Sequence, residues 1–526
     1  MSHLLSVSDA VTAHARLYPR KIGTRDSRRS LTFAQWEERA SRLANGLLGL
    51  GLKKGDRVGL LAYNCVEWME IYVAIARAGL VAVPINFRLM GPEIAYIVEH
   101  SEARALIVQD DLRDRIDPLR GELGTLANGG CIHFGGDATP AGWRGYEALI
   151  DGAASTPPAV QVRPEDPFAL MYTSGTTGKP KGAVRNHEGN ALIALATAVE
   201  FRFSRDDTGL LVMPMCHANS LYFGLTFMYL GATVVVDDHK SFDPEGLLAT
   251  LAREKVTFTS LVPTHYIMML GLPEAVKAKY DVGAVEKLLI SSAPARKDTK
   301  LAIMAHFRNS GLYELYGSSE AGWVTLLRPE EQIERLGTVG REWAGSGAIK
   351  ILDPEGREVP DGEVGELHSR TAYVFDGYWK NPDKTAEAFK GEWCSVGDMA
   401  RRDADGYIQL VDRKSNMIIS GGENIYPSEV EAVLGGHPKV KDVAVIGIPH
   451  EKWGETVLAV VVLHRHEEAG KAVEAEILDW SKDKMAGYKR PRSIMFMADA
   501  DMPRTATGKI LHRTLREKLS VAGIGG

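Results

Sequence analysis

Apolar residues in the first part of the chain recur with helical spacing in some segments and form short continuous runs in others. Thr32 and Gln35 form a capping box, after which apolar side chains recur at helical spacing as far as Gly49–Gly51. Val58–Ala62 and Leu80–Pro84 are runs typical of buried strands, and a second helical pattern separates them. Strand, helix and strand in this order predict parallel pairing in an α/β fold.

The pattern changes towards the end of the chain. Strand-like runs return at 209–213, 233–236 and 288–291, so a large α/β region of two or three subdomains is predicted up to about residue 411. A glycine-rich segment at 418–424 then precedes a different arrangement. Its predicted helices are 427–435 and 473–484, and its predicted strands are 443–448, 457–462 and 493–497. This mixture predicts a compact α+β domain.

Composition narrows the class of protein. The 526 residues are 45% hydrophobic and 25% charged, as expected of a folded protein of at least two domains. A net charge of −6 provides no basic field for nucleic acid. Four scattered cysteines without a paired spacing predict reduced thiols and a cytoplasmic location. Neither a signal peptide nor an apolar stretch of the ~18–20 residues that span a bilayer is evident, so no integral membrane association is expected.

The most distinctive polar segment is Thr173–Ala183, which follows the apolar run Pro167–Tyr172. Its glycines, hydroxyl side chains and two lysines allow backbone N–H groups and side-chain donors to surround an anion. It is not a Walker A loop, because only two residues separate Gly175 from Gly178 and a proline follows the first lysine. A flexible surface loop is the alternative interpretation, and the particular order of these residues disfavours it.

This loop resembles the phosphate loop of the adenylate-forming superfamily, which includes acyl-CoA synthetases, aryl-CoA ligases, carrier-loading adenylation domains and luciferases. Four further segments resemble that family in the same order, namely 316–320, 395–398, 412–431 and 503–509. The resemblance covers essentially the whole chain. It implies an acetyl-CoA synthetase-like fold, with an N-terminal domain at 1–411, a hinge at 412–416 and a small mobile C-terminal domain at 417–526.

The resemblance also implies a reaction that uses ATP, Mg²⁺ and coenzyme A. A carboxylic acid forms an acyl-adenylate with release of pyrophosphate, and CoA then displaces AMP. Catalysis of this kind depends on positioning and on charge stabilisation. The implied ATP-binding residues are Thr173, Ser174, Gly175, Thr176, Thr177, Gly178, Lys179, Lys181, Ser292, Ala293, Pro294, Tyr316, Gly317, Ser318, Ser319, Asp398 and Arg413.

Three catalytic residues are implied. Glu320 is expected to bind Mg²⁺, which prefers one or two carboxylates together with phosphate oxygens. Lys509 is expected to place an ammonium group on the carboxylate and α-phosphate oxygens as charge develops. His217 is expected to orient the acid or to gate the path of the thiol. A turn glutamate, a surface lysine and a core histidine are the structural alternatives.

Binding of CoA and of the acid is implied by weaker matches. The CoA-binding candidates are Arg88, Gly421, Gly422, Glu423, Trp453, Tyr488 and Arg490. The acid-pocket candidates are Tyr222, Phe223, Tyr266 and Trp323. These bulky side chains, with no obvious basic residue among them, favour an aromatic or short-to-medium acid over a long fatty acid or malonate. Ser415 occupies the hinge position where the family usually has Asp or Lys, so the balance between the two domain orientations is open.

An acid–CoA ligase is the leading interpretation of function. A carrier-protein-loading enzyme is second, and a nucleotide-binding regulator without turnover is third. The presence of Glu320, Arg413 and Lys509 together disfavours the regulator, and nothing points to a luciferase-type oxygenase. The expected partners are a small-molecule carboxylic acid and CoA. The assembly state is left open, with a homodimer as one candidate.

Overall fold

The structure, a computed structural model, describes residues 6–173, 180–291, 295–343, 345–420, 423–450, 453–482, 484–505 and 508–521. The chain forms two compact units. The larger unit comprises Met1–Ile349 and Ser369–Cys394, and the smaller one comprises Lys350–His368 and Ser395–Gly526. Residues 412–416 therefore lie inside the smaller unit. No helix within the described ranges is long and apolar enough to cross a membrane.

The larger unit contains two eight-stranded sheets. In the first, six central strands run parallel and an antiparallel strand flanks each edge. The strands in sheet order are Gly322–Leu327, Gly311–Ser318, Lys287–Ser291, Phe258–Leu261, Thr208–Leu211, Thr233–Val236, Ile22–Arg25 and Ser30–Thr32. The carboxyl ends of the parallel strands meet at one edge, which is where α/β sheets bind ligands.

The second sheet carries the strand that leads into the predicted phosphate loop. Its strands in order are Gly377–Tyr378, Lys181–Asn186, Pro167–Thr173, Val81–Ile85, Arg57–Leu61, Ala103–Gln109, Cys131–Phe134 and Arg144–Gly145. The first three pair antiparallel and the others pair parallel. A short hairpin of Phe389–Lys390 and Trp393–Cys394 completes the strands of this unit.

Helices cover the sheets of the larger unit. They are Val7–Leu17, Phe33–Gly49, Glu67–Arg77, Gly91–Ser101, Tyr146–Asp151, His187–Glu200, Ala218–Leu230, Pro244–Arg253, Pro263–Leu270, Glu274–Lys277, Lys297–His306 and Pro382–Ala388. The capping box predicted at Thr32 and Gln35 is present, and the side chains predicted to recur at helical spacing are buried. The predicted α/β class of this part of the chain is confirmed.

The smaller unit is α+β, as predicted. Its strands are Gly365–Ser369, Asp398–Arg402, Ile408–Arg413, Ile418–Ser420, Glu423–Ile425, Val440–His450, Gly454–Leu463 and Ser493–Phe496, and Ile349–Leu352 begins at its boundary. Its helices are Pro427–Leu434, Lys471–Trp480 and His512–Val521. The second helix ends four residues earlier than predicted, at Trp480, where the Ser481 hydroxyl donates to the carbonyl of Leu478 at 2.7 Å. In the glycine-rich segment, Ser420 and Glu423 pair in neighbouring antiparallel strands.

Candidate functional site

The two ends of the predicted phosphate loop are adjacent. Thr173 pairs with Lys181 in the antiparallel ladder of their strands. The helix Gly91–Ser101 contacts both ends: the hydroxyl of Tyr96 donates to the carbonyl of Pro180 at 3.3 Å, and its His100 lies 2.8 Å from the hydroxyl of Tyr172. The remaining predicted loop residues, Ser174 to Lys179, lie outside the described residues, as do Ser292 to Pro294.

Glu320 lies in the tight turn between the strands Gly311–Ser318 and Gly322–Leu327. Its Oε1 atom accepts hydrogen bonds from the Thr173 hydroxyl at 3.2 Å and from the Tyr378 hydroxyl at 2.9 Å. The residue is buried, and no described residue donates to Oε2. One carboxylate oxygen is thus held by protein donors while the other is left for a ligand. Tyr378 was not predicted from the sequence.

Two side chains hold the peptide backbone behind this turn. Nη1 of Arg185 donates to the carbonyls of Ser319 at 3.4 Å and Glu320 at 3.1 Å. The Tyr222 hydroxyl also donates to the Ser319 carbonyl, at 3.5 Å. Arg185 was not predicted from the sequence, although it lies two residues after the apolar Ala183 and therefore on the same buried face of the strand.

The predicted nucleotide residues that are described fall in both units. In the larger unit, Tyr316, Gly317, Ser318 and Ser319 occupy the end of one strand and the start of the turn, where Ser318 Oγ accepts from the backbone N–H of Ala321 at 2.9 Å. In the smaller unit, Asp398 and Arg413 form an ion pair of 2.5 Å. Each set is compatible with its predicted role in nucleotide binding.

His217 directly precedes the helix Ala218–Leu230, and the Nε2 atom of its ring is buried. Its Nε2 atom has no partner among the described residues. Burial, together with the positive charge of Arg88, lowers the pKa of His217 to about 4, so the ring is neutral at neutral pH. Burial raises the pKa of the neighbouring Cys216 thiol to about 12, so this cysteine is a poor nucleophile.

The four acid-pocket candidates are packed into the interior. Trp323 donates its indole N–H to Thr197 at 3.0 Å, and the Tyr266 hydroxyl donates to the carbonyl of Leu289 at 3.1 Å. Tyr222 and Phe223 are also fully buried. The rings of Tyr222 and Phe223 both contact Trp323 beside the turn of Glu320, whereas Tyr266 packs in a separate apolar cluster. That these side chains touch the acid stays a prediction.

A group of polar side chains lies at the carboxyl ends of two parallel strands. Asn219 donates from Nδ2 to the hydroxyls of Ser260 at 3.0 Å and Ser291 at 3.1 Å. Its neighbours at the start of the same helix include His217. This edge of the sheet therefore presents hydrogen-bonding groups as well as aromatic ones.

The CoA-binding candidates have different environments. Tyr488 is exposed, and Glu423 is exposed at the start of its strand. Arg490 donates to the Ser481 hydroxyl and to the carbonyl of Leu478. Its guanidinium therefore provides hydrogen-bond donors at the carboxyl end of the helix Lys471–Trp480. Arg88 is exposed beside the ring of Phe87. The ring of Trp453 lies 5.2 Å from the guanidinium of Arg492. Gly421 and Gly422 lie outside the described residues.

Lys509 lies in the smaller unit, directly after Gly508. The backbone N–H of Thr505 donates to the Lys509 carbonyl at 2.7 Å, and Gly508 adopts a φ of +83°. Desolvation of the ammonium group and the nearby Arg413 lower the pKa of Lys509, while Asp398, Asp412 and Glu431 act in the opposite direction. The electrostatic neighbours of Lys509 thus include both predicted nucleoside residues.

The hinge candidate Ser415 is exposed in a turn of the same unit. The backbone N–H of Asn416 donates to the carbonyl of Arg413 at 2.9 Å, and its side chain donates to Asp412 at 3.1 Å. Lys414 forms an ion pair of 2.8 Å with Glu366. These contacts hold the segment on both sides of Ser415.

The chain belongs to the AMP-binding enzyme family, whose model matches residues 11–379, and the C-terminal domain model of the same enzymes matches 429–509. It is an AMP-forming acid–CoA ligase that uses ATP, Mg²⁺ and CoA.

Three known proteins illustrate the similarity. A feruloyl-CoA synthase of Amycolatopsis sp. is 36% identical over 96% of this chain and 97% of its own length. The structure of the anthranilate CoA ligase AuaEII in complex with anthranoyl-AMP has a TM-score of 0.89 at 29% identity, covering 99% of both chains. The O-succinylbenzoate coenzyme A synthetase MenE of Bacillus subtilis, in complex with ATP and a magnesium ion, has a TM-score of 0.82 at 26% identity, covering 96% and 98%. These names do not favour carrier-protein loading.

Proposed function

We propose that this ligase joins an aromatic carboxylic acid to CoA. The observation that carries the proposal is the Glu320 carboxylate, which Thr173 and Tyr378 hold through one oxygen beside the predicted phosphate loop. The aromatic class is supported by the names of the similar proteins, since ferulate, anthranilate and O-succinylbenzoate all contain an aromatic ring.

The residues around Glu320 fit a magnesium ion bound together with a nucleotide. Within the described residues no group of three or more His, Cys, Asp or Glu side chains could hold a metal by itself. Magnesium is commonly bound by one or two carboxylates plus phosphate oxygens, so one carboxylate with an available oxygen suits it. The ion would supply charge neutralisation at the phosphates.

Adenylation requires attack of the acid's carboxylate oxygen on the α-phosphorus, with the bond to pyrophosphate breaking. Lys509 is proposed to stabilise the charge that develops on the carboxylate and α-phosphate oxygens. The neutral ring of His217 is proposed to orient the acid by a hydrogen bond through its unpartnered Nε2. Asp398 is proposed to accept the ribose hydroxyls, with Arg413 holding its carboxylate in place.

Thioester formation requires attack of the CoA sulfur on the acyl carbon, with AMP leaving. CoA carries several phosphate groups, so exposed cations suit its path. Arg88, Tyr488 and Trp453 are proposed to contact it, and the guanidinium that lies beside Trp453 adds Arg492 to this set. Arg490 is a weaker candidate, because its donors already serve a helix end. A turn at Ser415 is proposed to separate the two half-reactions.

The cellular location and the assembly state are also proposals. The unpaired state of Cys65, Cys131, Cys216 and Cys394 supports a reducing, cytoplasmic location. A homodimer remains a candidate for the assembly, to be decided by light scattering of the purified chain.

The test uses the purified full chain with ATP, Mg²⁺, CoA and a panel of acids. The panel contains aromatic acids such as ferulate and anthranilate, a long-chain fatty acid and malonate. We expect AMP, pyrophosphate and a CoA thioester, with the highest kcat/KM for an aromatic acid. ADP and phosphate as products would overturn the mechanism, and a preference for the fatty acid or malonate would overturn the acid class alone.

A further inference from the structure

Arg185 is a fully buried arginine without an acidic partner. It lies on the strand Lys181–Asn186, and 1% of the residue is exposed. Its Nε and Nη2 atoms have no hydrogen-bond partner in the described part of the chain, and no described carboxylate lies within ion-pair distance of it. The other buried lysine and arginine side chains described in this unit, Arg77, Lys277 and Lys300, each have a carboxylate partner.

Burying an unpaired charge is costly, whereas an apolar side chain of similar volume would fill the same space without that cost. The guanidinium must therefore do something that an apolar residue cannot. Part of its charge is offset by the ring of Tyr222, whose centroid lies 5.3 Å away. The only hydrogen bonds of its side chain within the described ranges go to the carbonyls of Ser319 and Glu320.

These two carbonyls belong to the peptide groups on either side of the Glu320 Cα atom. The Glu320 carbonyl also accepts from the backbone N–H of Phe375 at 2.8 Å, so it is held from two sides. On the opposite side of the same residue, Oε1 is held by Thr173 and Tyr378. Backbone and carboxylate are thus both restrained, which leaves Oε2 with a fixed direction.

We propose that Arg185 is a positioning residue that fixes the Ser319–Glu320 backbone and thereby aims the Glu320 carboxylate at the magnesium ion of bound ATP. The inference rests on the proposed function, because it needs Glu320 to be the metal ligand. Residues that orient a metal ligand through hydrogen bonds typically change metal affinity by about 10–100-fold when they are replaced.

The test compares Arg185→Met, Arg185→Lys and the control Arg77→Lys in the full chain. Arg77 is also a buried arginine of the larger unit, but it bonds to Glu37 and Ser41, away from the turn. The readout is binding of Mn²⁺ to the protein–ATP complex by electron paramagnetic resonance, without acid or CoA. Thermal unfolding and thioester formation from pre-made acyl-adenylate are measured in parallel.

We expect Mn²⁺ affinity to fall about 10-fold in Arg185→Met and less in Arg185→Lys, which keeps one donor group. Arg77→Lys should lower Tm without changing that affinity, and all variants should retain thioester formation from the adenylate within about twofold. Unchanged Mn²⁺ affinity in the Arg185 variants would show that the residue only fills the core. If Arg185→Met does not fold, the Mn²⁺ affinity of Arg185→Lys is the deciding measurement, and an unchanged affinity overturns the proposal. Failure of the wild-type protein to bind Mn²⁺ with ATP would instead refute the proposed metal site itself, and this inference with it.

Discussion

Nε of Arg413 lies 2.5 Å from Oδ1 of Asp398, and the two residues face each other across neighbouring antiparallel strands. Arg413 also donates from Nη1 to the carbonyl of Val396 at 3.2 Å. Because the strand ladder and these contacts restrain both side chains, the Asp398 carboxylate is oriented before any nucleotide binds. Preorganisation of this kind reduces the entropy that binding must overcome.

Asp398→Asn is expected to raise the KM for ATP about 10-fold, because the ribose hydroxyls and Arg413 lose a charged acceptor. The control is Asp361→Asn, which removes a similar carboxylate–arginine pair of 2.9 Å with Arg402 in the same unit. Steady-state pyrophosphate release at varied ATP measures both. An equal KM in the two variants would mean that Asp398 only stabilises the strand pair.

Lys509→Ala is expected to slow adenylation about 10²–10³-fold, since a cation that stabilises the transition state is lost. Thioester formation from pre-made acyl-adenylate should fall far less, because we expect Lys509 to leave the site before CoA enters it. Lys518→Ala, on the adjoining C-terminal helix, is the control and should leave both rates unchanged. Equal losses in both half-reactions would contradict this division of labour.

Much of the fold was predictable because it depends on local patterns. The capping box at Thr32 and Gln35, the strand of residues 233–236 and the helix beginning at Pro427 follow from neighbouring residues, and the structure has them there. The Thr173, Glu320 and Lys509 motifs were recognisable for the same reason. Their order along the chain was enough to predict the family.

The support around Glu320 was not predictable, because it depends on contacts between distant residues. Arg185 and Glu320 are 135 positions apart, and Tyr378 and Glu320 are 58 apart. A single sequence shows which residues are cations or hydroxyls, but not which backbone carbonyls they reach. The sequence likewise does not show that Arg490, which is predicted to contact CoA, donates to the end of a helix, and its contact with CoA stays a prediction.

Gly322→Ala is expected to destabilise the protein by about 2–3 kcal/mol, because two effects add. Gly322 has a φ of +72°, and a Cβ atom there would lie 2.6 Å from the ring of Tyr373. Gly391→Ala is the matched control: its φ is +61°, but nothing lies within 4 Å of the added Cβ. Thermal unfolding should therefore show a larger loss for Gly322→Ala, and equal losses would mean that the ring moves aside freely.

His512 should make stability depend on pH. Its Nε2 lies 2.6 Å from Oε1 of Glu431, which also accepts from the backbone N–H of Val445. Burial and the positive charge of Lys509 lower the pKa of His512. The hydrogen bond to Glu431 and the negative charges of Glu431 and Asp412 have the larger effect, so the pKa is raised. The stabilisation that comes from a raised folded-state pKa is fully present below the ordinary pKa of about 6.5. It is lost as the pH rises through the pKa of the folded protein.

His512→Gln is therefore expected to lower Tm most near pH 6, by an amount equivalent to about 1 kcal/mol, and progressively less towards pH 9. His464→Gln changes an exposed histidine of the same unit and should leave Tm unchanged throughout. Calorimetry of the three proteins across this range is the measurement. A difference between wild type and His512→Gln that stays constant with pH would show that the pair contributes packing rather than charge.

Ser415→Pro tests whether this turn separates the half-reactions. Proline fixes φ near −65° and restricts Lys414 before it, so a large change in backbone angles at this position becomes impossible. The backbone N–H of Ser415 makes no hydrogen bond to a described backbone carbonyl, so the substitution removes none of those bonds. Adenylation should therefore stay within a few-fold of wild type, whereas thioester formation should fall at least about 10-fold.

The two steps are measured separately, adenylation by pyrophosphate release without CoA and thioester formation from pre-made acyl-adenylate. Ser428→Ala is unsuitable as a control, because the Ser428 hydroxyl donates to the carbonyl of Val411 within the same junction. Gly470→Pro is also unsuitable, because its φ of 171° is incompatible with proline. Ser493→Ala, on a strand distant in sequence from the turn, should leave both rates unchanged. If Ser415→Pro also leaves both rates unchanged, Ser415 is not the pivot, and the Lys414–Glu366 ion pair beside it marks a segment that stays rigid through the whole reaction.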